Sequence, residues 1–222
     1  AGTFSLANNT LTNIAAINGS AANDTLTLGT VSSGMVIDLG GGAADSLTLG
    51  AGGNTLSIAN VESLTGGSGA DVVTVTAGGN VATLAAGLSS ADTLISNLTQ
   101  TLTSATIASG LTNANGGTLT ALNSASAING AFANQTGATL QVFATTSSTT
   151  LTIANSFTNA GAIQFKGGNS GGSNNPTLTV NAGAGTITNT GTIESIANSN
   201  FGVRTINANI TNTGSITATD NL

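Results

Sequence analysis

The sequence predicts an all-β chain folded as a single-stranded parallel β-helix (β-solenoid), with about three short strands in each coil of 21–30 residues. Two observations predict this fold. Short runs of alternating apolar and polar residues are separated by Gly and Asn corners. Matching corner residues also recur at near-constant spacing. The alternative fold with many short strands, an antiparallel β-sandwich, needs no such recurrence.

The first family of repeats is an acidic turn followed by a short strand. Its copies have Asp-to-Asp spacings of 21, 26 and 21 residues and are marked by Asp24, Asp45, Asp71 and Asp92. Gly-rich turns at residues 40–42 and 66–69 precede the middle two copies. These repeats define a first region of Asp- and Gly-rich coils, which we place at residues 1–104.

The second family of repeats has an apolar-x-Asn step, a short gap, a Gly and an x-apolar step. Successive starts are 21, 25, 30 and 23 residues apart, at Leu111, Phe132, Phe157, Ile187 and Ile210. The long interval contains a Gly/Ser/Asn-rich stretch that ends at Pro176, which predicts a loop inserted at residues 166–176. The second region is placed at residues 105–222, continuous with the first.

Alternation places the apolar side chains inside each coil and the Thr and Ser side chains outside. Equivalent residues then stack between coils, with Asn ladders at corners and Phe or Ile stacks in the core. Charged residues are only 5% of the chain, so neutral polar groups must cover its surface. Such a surface, with only two basic residues to attract trypsin-like proteases, suits an extracellular or cell-surface protein.

The charge distribution limits the classes of molecule that this chain is expected to bind. The net charge is −6, and residues 1–100 hold six acids and no base. An acidic region of this kind repels nucleic acid and anionic lipid, which both require Lys and Arg contacts. No segment is long and apolar enough to span a membrane. We therefore expect no nucleic-acid partner and no membrane insertion.

One segment, Gly-Gly-Ser-Gly-Ala-Asp-Val-Val-Thr at residues 66–74, resembles the nonapeptide of RTX (haemolysin-type) proteins, and residues 58–65 look like its lead-in. That family is a calcium-binding parallel β-roll, in which the glycine turn and the Asp hold the ion between successive turns. The resemblance implies calcium contacts from Gly66, Gly67, Gly69 and Asp71. The full motif occurs once in this chain.

Stacking gives a second reason to expect calcium. Coils in register would place Asp24, Asp45, Asp71 and Asp92 in one column on one corner. Carboxylates stacked at about 5 Å repel unless they are protonated, spread apart or bridged by a cation. The alternative is that each Asp caps its own turn through an Asx hydrogen bond. Calcium is thus the expected cofactor, and these four acids join the glycines as candidate ligands.

Residues 105–220 resemble the β-helical stalks of bacterial autotransporter passengers and filamentous-haemagglutinin-like adhesins, whose coils often read Ile-x-Asn-x-Gly-x-Ile. This resemblance implies a structural or adhesive role at the cell surface. Host or cell-surface glycans are the adhesion partners that we expect of such a protein.

We do not expect an enzyme. Some β-helix proteins cleave polysaccharides with paired carboxylates. This chain has no Trp, Tyr or His to complete such a site, and its only cations, Lys166 and Arg204, lie far along the chain from the four aspartates. Repeated, equivalent acids indicate a structural role, since acid–base catalysis needs a distinctive environment that tunes one pKa.

Thr-x-Thr runs suggest a further hypothesis. With the middle residue inward, both Thr side chains face water, as in the arrays of ice-binding β-solenoids. The alternative is that Thr is simply the best neutral residue for a strand surface. The runs lie at residues 10–12, 25–27, 74–76, 101–103, 118–120, 150–152 and 177–179.

The outermost repeats lack a charged or amphipathic capping helix. We expect either a segment of a longer adhesin or copies that stack end to end as a homo-oligomer or filament. The primary hypothesis is a secreted bacterial structural or adhesive β-solenoid, which serves as a subunit of an extracellular fibre, surface layer or biofilm matrix, or as an adhesin stalk. The alternatives are a calcium-dependent extracellular binding module and an ice-binding domain.

Overall fold

The computed structural model describes residues 1–31, 33–167, 174–196 and 202–219. Strands make up 56% and helix 4% of the described residues, and the fold is a parallel β-solenoid of about 10 turns with ~21-residue coils. The predicted fold class is therefore confirmed. The chain divides into two compact units, Ala1–Ser96 with Ala108–Gly110, and Asn97–Ile107 with Leu111–Leu222.

In the first unit each of the first four coils contributes two strands, one to each of two parallel sheets, where the sequence predicts about three. The sheet orders are β1-β3-β5-β7 and β2-β4-β6-β8-β9. The elements are β1 (Gly2–Leu11), β2 (Ala16–Ser20), β3 (Asp24–Val31), β4 (Met35–Gly40), β5 (Ser46–Thr48), β6 (Thr55–Ala59), β7 (Ser63–Thr65), β8 (Val72–Ala77), α1 (Val81–Ala86) and β9 (Thr93–Ser96).

Helix α1 follows β8 in the chain and packs beside β7, where the next strand of the four-stranded sheet would lie. The sequence does not predict this helix. Asn80 caps it, because its Oδ1 accepts hydrogen bonds from the N–H groups of Ala82 and Thr83 at 2.9 and 3.3 Å. Leu84 and Ala85 are fully buried, and the helix packs against β7. The helix thus covers the edge of the four-stranded sheet.

In the second unit each coil contributes three strands, as predicted. The three parallel sheets have the orders β10-β13-β16-β19-β22-β25, β11-β14-β17-β20-β23 and β12-β15-β18-β21-β24. The elements are β10 (Thr99–Leu102), β11 (Thr106–Ile107), β12 (Gly110–Asn113), β13 (Thr118–Leu122), β14 (Ala125–Ile128), β15 (Phe132–Asn134), β16 (Thr139–Ala144), β17 (Thr149–Ile153), β18 (Phe157–Asn159), β19 (Ala162–Gly167), β20 (Pro176–Val180), a 3-10 helix (Asn181–Gly183), β21 (Thr186–Asn189), β22 (Thr192–Ile196), β23 (Thr205–Asn207), β24 (Asn209–Asn212) and β25 (Ser215–Ala218).

The core of each unit is a set of apolar columns, because equivalent inward residues stack in register. In the second unit Phe157 aligns with Ile187, and the Phe132 and Phe157 rings meet edge to face with centroids 5.1 Å apart. In the first unit Leu26, Leu47 and Leu64 form a column that is 0–3% exposed. Alternation along strands of the inner coils, such as β4, β16, β17 and β19, therefore separates core from surface as predicted.

The predicted loop at residues 166–176 falls partly outside the described residues, which omit 168–173. Lys166 and Gly167 lie at the end of β19, and Pro176 begins β20. The loop and the predicted domain boundary at residues 104/105 both stay predictions.

Candidate functional site

The four predicted aspartates do not form one column; the strand register divides them between two sheets of the first unit. Asp24 and Asp45 precede aligned residues of β3 and β5, whereas Asp71 and Asp92 precede aligned residues of β8 and β9. The predicted single column is therefore wrong. The 26-residue spacing between Asp45 and Asp71 is the reason, because it exceeds one coil and moves the motif to the other sheet.

The first column links successive coils through backbone N–H groups. Gly2 donates to Oδ1 of Asp24 at 2.8 Å, and Asp24 donates to Oδ1 of Asp45 at 2.6 Å. Asp45 in turn donates from its backbone N–H to Oε2 of Glu62 at 2.8 Å. Each acid thus accepts a hydrogen bond from the residue that it stacks upon, which lets carboxylates occupy successive coils.

The second column repeats this pattern in the other sheet. Asn54 donates from its backbone N–H to Oδ1 of Asp71 at 2.8 Å, and Asp71 donates to Oδ1 of Asp92 at 2.8 Å. The second carboxylate oxygens accept from their own turns, Asp71 from the Gly67 N–H at 3.0 Å and Asp92 from the Ser89 N–H at 2.6 Å. Asp71 and Asp92 are 0% and 1% exposed, so these turn caps are buried.

The glycines of the RTX-like segment lie in the turn between β7 and β8. Gly66 donates its N–H to the Gly87 carbonyl at 2.8 Å, and Gly67 donates to Asp71. Gly69 lies so close to the backbone of Gly52 and Gly53 that a Cβ would overlap it. In this structure Gly67 and Gly69 therefore allow close approach of the backbone, and Gly67 holds one oxygen of the Asp71 carboxylate.

Asp45 is the exception among the turn acids. Its side chain is 0% exposed, and Oδ2 is one of three buried polar side-chain atoms without a hydrogen-bond partner among the described residues. A Cβ on Gly42 would lie 2.8 Å from that oxygen. Asp71 receives a hydrogen bond from the N–H four residues before it, that of Gly67. The N–H four residues before Asp45, that of Gly41, donates to the Ser20 carbonyl at 3.0 Å and not to Asp45. A buried carboxylate oxygen without a donor is costly and calls for a ligand or water.

Within the described parts of the chain, no group of three or more Asp, Glu, His or Cys side chains has a geometry that could hold a metal ion. Backbone carbonyls, which calcium also uses, are outside that description. Calcium at Gly66, Gly67, Gly69, Asp71, Asp45, Asp24 and Asp92 stays a prediction. The turn-capping alternative accounts for the hydrogen bonds of Asp24, Asp71 and Asp92.

Sequence reasoning missed Glu62 and Asn54, which stack with the predicted acids. Glu62 precedes the Ser-Leu-Thr of β7 just as Asp45 precedes the Ser-Leu-Thr of β5. Asn54 occupies the position next to Asp71 and also donates from Nδ2 to its Oδ1 at 2.7 Å. Comparing the strands rather than the acids would have found both residues.

The hydrogen bonds of its turn make Asp24 a stronger acid than an ordinary aspartate, with a lowered pKa. The Ser20 N–H lowers the pKa of the Asp24 carboxyl below its ordinary value, and the Ser20 hydroxyl and the Gly2 N–H act in the same direction. Hydrogen bonds to the charged form stabilise it and so favour ionisation.

The second unit carries the predicted asparagine ladder, buried in the corner beside its apolar core. Each of the first four Asn residues donates from Nδ2 to Oδ1 of the Asn in the next coil at 2.6–2.8 Å. The same amide also reaches a backbone carbonyl of the next coil at 2.8–3.2 Å. The first four members are 0–3% exposed. The ladder consists of Asn113, Asn134, Asn159, Asn189 and Asn212.

The four-stranded sheet of the first unit presents hydroxyl side chains at two aligned positions of each of its four strands. Strand spacing separates the hydroxyl residues by about 4.8 Å between coils and by about 6.8 Å along a strand. The register aligns Thr3, Thr25, Ser46 and Ser63 in one column, and Ser5, Thr27, Thr48 and Thr65 in the other. Of these four strands, only β3 carries a predicted Thr-x-Thr run.

No family model, curated protein or solved structure matches this chain. The resemblances to RTX proteins and to autotransporter or haemagglutinin-like adhesins therefore stay predictions. In the described residues, no helix has both the length and the apolar character needed to cross a membrane.

Proposed function

We propose that this protein is a secreted bacterial structural or adhesive β-solenoid, which serves in an extracellular fibre, surface layer or biofilm matrix, or as an adhesin stalk. The observation that carries the proposal is the repetition of the same side chain at the same register position in coil after coil. In the asparagine ladder, side-chain hydrogen bonds join neighbouring coils, and in the apolar columns, equivalent side chains of neighbouring coils stack in register. A catalytic site, in contrast, needs different groups converging at one place.

The physical role of such a protein is mechanical. Parallel backbone ladders and buried columns connect every coil of a unit to the next, so unfolding one coil exposes polar and apolar groups of its neighbours. With only two basic residues in 222, the chain offers trypsin-like proteases few cleavage sites. These properties suit a protein that works outside the cell.

Immunogold labelling of intact, unpermeabilised producer cells tests this role. Label on the cell surface or in the surrounding matrix is the expected result. Label that appears only after the cells are permeabilised would overturn the extracellular assignment. A glycan array probed with the purified chain tests adhesion, and binding that a free sugar competes away is expected for an adhesive role.

Association of copies into a filament forms part of the same proposal. Negative-stain electron microscopy of the purified chain in millimolar calcium checks it. Long, thin filaments would support a fibre subunit. Single particles at every concentration would remove self-assembly and leave the stalk or adhesive role.

Asp45 favours a second candidate, a calcium-dependent extracellular binding module. Its buried Oδ2 has no hydrogen-bond partner in the described structure, and a bound calcium ion would satisfy this oxygen by coordination. Ligand binding to the folded state raises stability by mass action. We expect calcium to raise the melting temperature of the wild type but not of Asp45→Asn. A melting temperature that chelator leaves unchanged would eliminate this candidate.

The hydroxyl columns of the four-stranded sheet favour a third candidate, ice binding. A regular array with two fixed spacings can order water on a flat surface, whereas scattered hydroxyls cannot. Thermal hysteresis in the purified chain is the expected signal. The double change Thr25→Asp and Thr48→Asp should abolish it while far-ultraviolet circular dichroism stays unchanged. Freezing without hysteresis would exclude the hypothesis.

A further inference from the structure

The outward face of the sheet β10-β13-β16-β19-β22-β25 carries a column of large, mainly apolar side chains. Its members lie one coil apart in register and are half-buried. Val142 and Phe165, which precede two of them in the chain, are 0% and 2% exposed, so alternation directs the column outward. We call this column the lateral strip; it consists of Leu122, Phe143, Ile196 and Lys166, whose aliphatic stem continues the apolar surface.

A hydrogen-bonded column runs beside the lateral strip, two residues earlier in each strand. Oγ1 of Thr120 donates to Oε1 of Gln141 at 3.2 Å, and Nε2 of Gln141 donates to Oε1 of Gln164 at 2.9 Å. Nε2 of Gln164 then donates to Oε1 of Glu194 at 3.5 Å. These residues form the polar strip. Its bonds all run in one direction from coil to coil, which orients the amides before any ligand binds.

The polar strip retains hydrogen-bonding capacity. An amide side chain has two N–H donors and two acceptor lone pairs. Gln141 and Gln164 each use one donor and one lone pair within the strip, and neither side chain makes another hydrogen bond in the described parts of the chain. Each keeps one N–H and one lone pair for a ligand. Because the strip follows the strand spacing, a donor and an acceptor recur about every 4.8 Å.

The spacing and the charge of this face define the class of ligand. An extended peptide presents backbone groups to one side every second residue, about 6.8 Å apart, which does not match the polar strip. The two strips carry one charge of each sign, on Lys166 and Glu194, so they do not favour a polyanion such as nucleic acid. A pyranose sugar, in contrast, has rim hydroxyls that both donate and accept, and C–H groups on its faces that pack against apolar side chains.

From these contacts we propose that the polar strip and the lateral strip together bind a neutral, linear glycan, whose pyranose units follow the stacking direction of the coils in the second unit. Gln141 and Gln164 exchange hydrogen bonds with sugar hydroxyls, and the Phe143 ring packs against a sugar face. Glu194 accepts a hydrogen bond from a hydroxyl at the end of the polar strip. The inference rests on the adhesive role proposed above, to which it adds a binding site and a ligand class.

Selective ¹⁵N labelling of glutamine tests the proposal by nuclear magnetic resonance on the purified chain. The chain has four glutamines, so the side-chain amide signals are few and separable. Cellotetraose and chitotetraose, titrated to millimolar concentration, are the neutral linear probes. We expect at least one probe to shift the side-chain signals of Gln141 and Gln164. Gln135 is exposed and lies outside both strips, so its signals are the internal control and should not move.

Variants of the lateral strip make the result specific. Phe143→Ala should weaken binding by about tenfold, because the contact with the sugar face is lost. Phe143→Tyr retains the ring and should bind as the wild type does. Thr152→Ala, at a half-buried outward position of a different sheet, is the matched control and should leave the affinity unchanged. Far-ultraviolet circular dichroism and the melting temperature of each variant verify that the fold is intact.

Four results would overturn the proposal. The first is no shift at Gln141 or Gln164 with either probe. The second is an equal shift at Gln135, which would indicate nonspecific association. The third is equal affinity of the wild type and Phe143→Ala. The fourth is movement of the Gln141 and Gln164 signals with protein concentration in the absence of sugar, which would assign the face to a second copy.

The binding result and the immunogold result are independent. Failure of both probes leaves the extracellular scaffold role standing. Label that is confined to permeabilised cells would remove the extracellular role without changing a measured shift at Gln141 and Gln164.

Discussion

The backbone N–H of Asp71 donates a 2.8 Å hydrogen bond to Oδ1 of Asp92, the acid in the next coil of the same sheet. Asp71 and Asp92 are both almost fully buried, so the bond joins two coils inside the protein. A carboxylate that accepts backbone donors is stable without a cation, provided that the donors are complete. Asp71 and Asp92 meet this condition, whereas Asp45 does not, because its Oδ2 has no donor in the described structure.

Asp71→Asn should destabilise the protein. Oδ1 of Asp71 accepts from two groups of Asn54, and Oδ2 accepts from Gly67, so an amide must direct its NH₂ at a donor in either orientation. We expect a loss of about 1–3 kcal/mol in the free energy of unfolding, measured by urea denaturation. Asp45→Asn is the control and should cost less, because Oδ2 of Asp45 faces no donor in the described structure. Equal losses would contradict the assignment of donors.

Asn159→Ala should weaken the second unit. Its Nδ2 donates to Asn189 at 2.7 Å and to the Thr192 carbonyl at 3.0 Å, and its Oδ1 accepts from Asn134 at 2.7 Å. Removing the buried amide leaves these partners without their bonds, at about 1–3 kcal/mol for each group that stays unsatisfied. Asn212→Ala, at the exposed member of the ladder, should cost under about 1 kcal/mol. Chemical denaturation of both variants decides, and a larger loss for Asn212→Ala would refute the ladder.

Gly191→Ala tests the close approach of coils. A Cβ at this position would overlap the Gly161 carbonyl oxygen, which belongs to the backbone and cannot rotate away. We expect a loss of about 1–3 kcal/mol from this overpacking. Gly41→Ala is the matched control, because its Cβ would meet ordinary contacts at 3.7 and 4.0 Å. Thermal unfolding of the two variants should differ clearly; similar midpoints would show that the coils move apart easily.

The Ser20–Asp24 pair predicts a dependence of stability on pH. The pKa of Asp24 in the folded protein lies below its ordinary value, chiefly because of the Ser20 N–H. The stabilisation is therefore complete above the pKa of Asp24 in the unfolded chain, and it is lost as the pH falls through the lower pKa of the folded state. We expect Asp24→Asn to reduce the loss of stability below about pH 4, with little difference between slopes near neutral pH. Identical acid unfolding curves for variant and wild type would contradict it.

The acid columns show how far sequence reasoning reached. The sequence predicts that each of the four acids lies in a turn before a strand; Asp45, Asp71 and Asp92 do, and Asp24 is the first residue of β3. Their assignment to a single corner was wrong, because a spacing of 26 residues shifts the motif from one sheet to the other. The asparagine ladder was predicted correctly, because its repeat occupies the same step of each three-strand coil.

Helix α1 is an element that the sequence pattern cannot predict. Its sequence, Val-Ala-Thr-Leu-Ala-Ala, carries apolar residues that fit a strand or a helix equally well over six residues. Burial of Leu84 and Ala85 against β7 selects the helix. Six residues are too few for the spacing of apolar residues to distinguish a helix from a strand, so packing against the neighbouring strand determines the secondary structure.

By itself, the sequence determined the parallel β-solenoid and the stacked residues of the three-strand coils, because alternation and recurring corners are local properties of the chain. Only the tertiary structure decided which coils have two strands and which have three, which sheet each acid joins, and which donor each carboxylate oxygen receives. Those outcomes depend on register between coils about 20 residues apart, and a shift of one residue exchanges the buried and exposed faces of a strand.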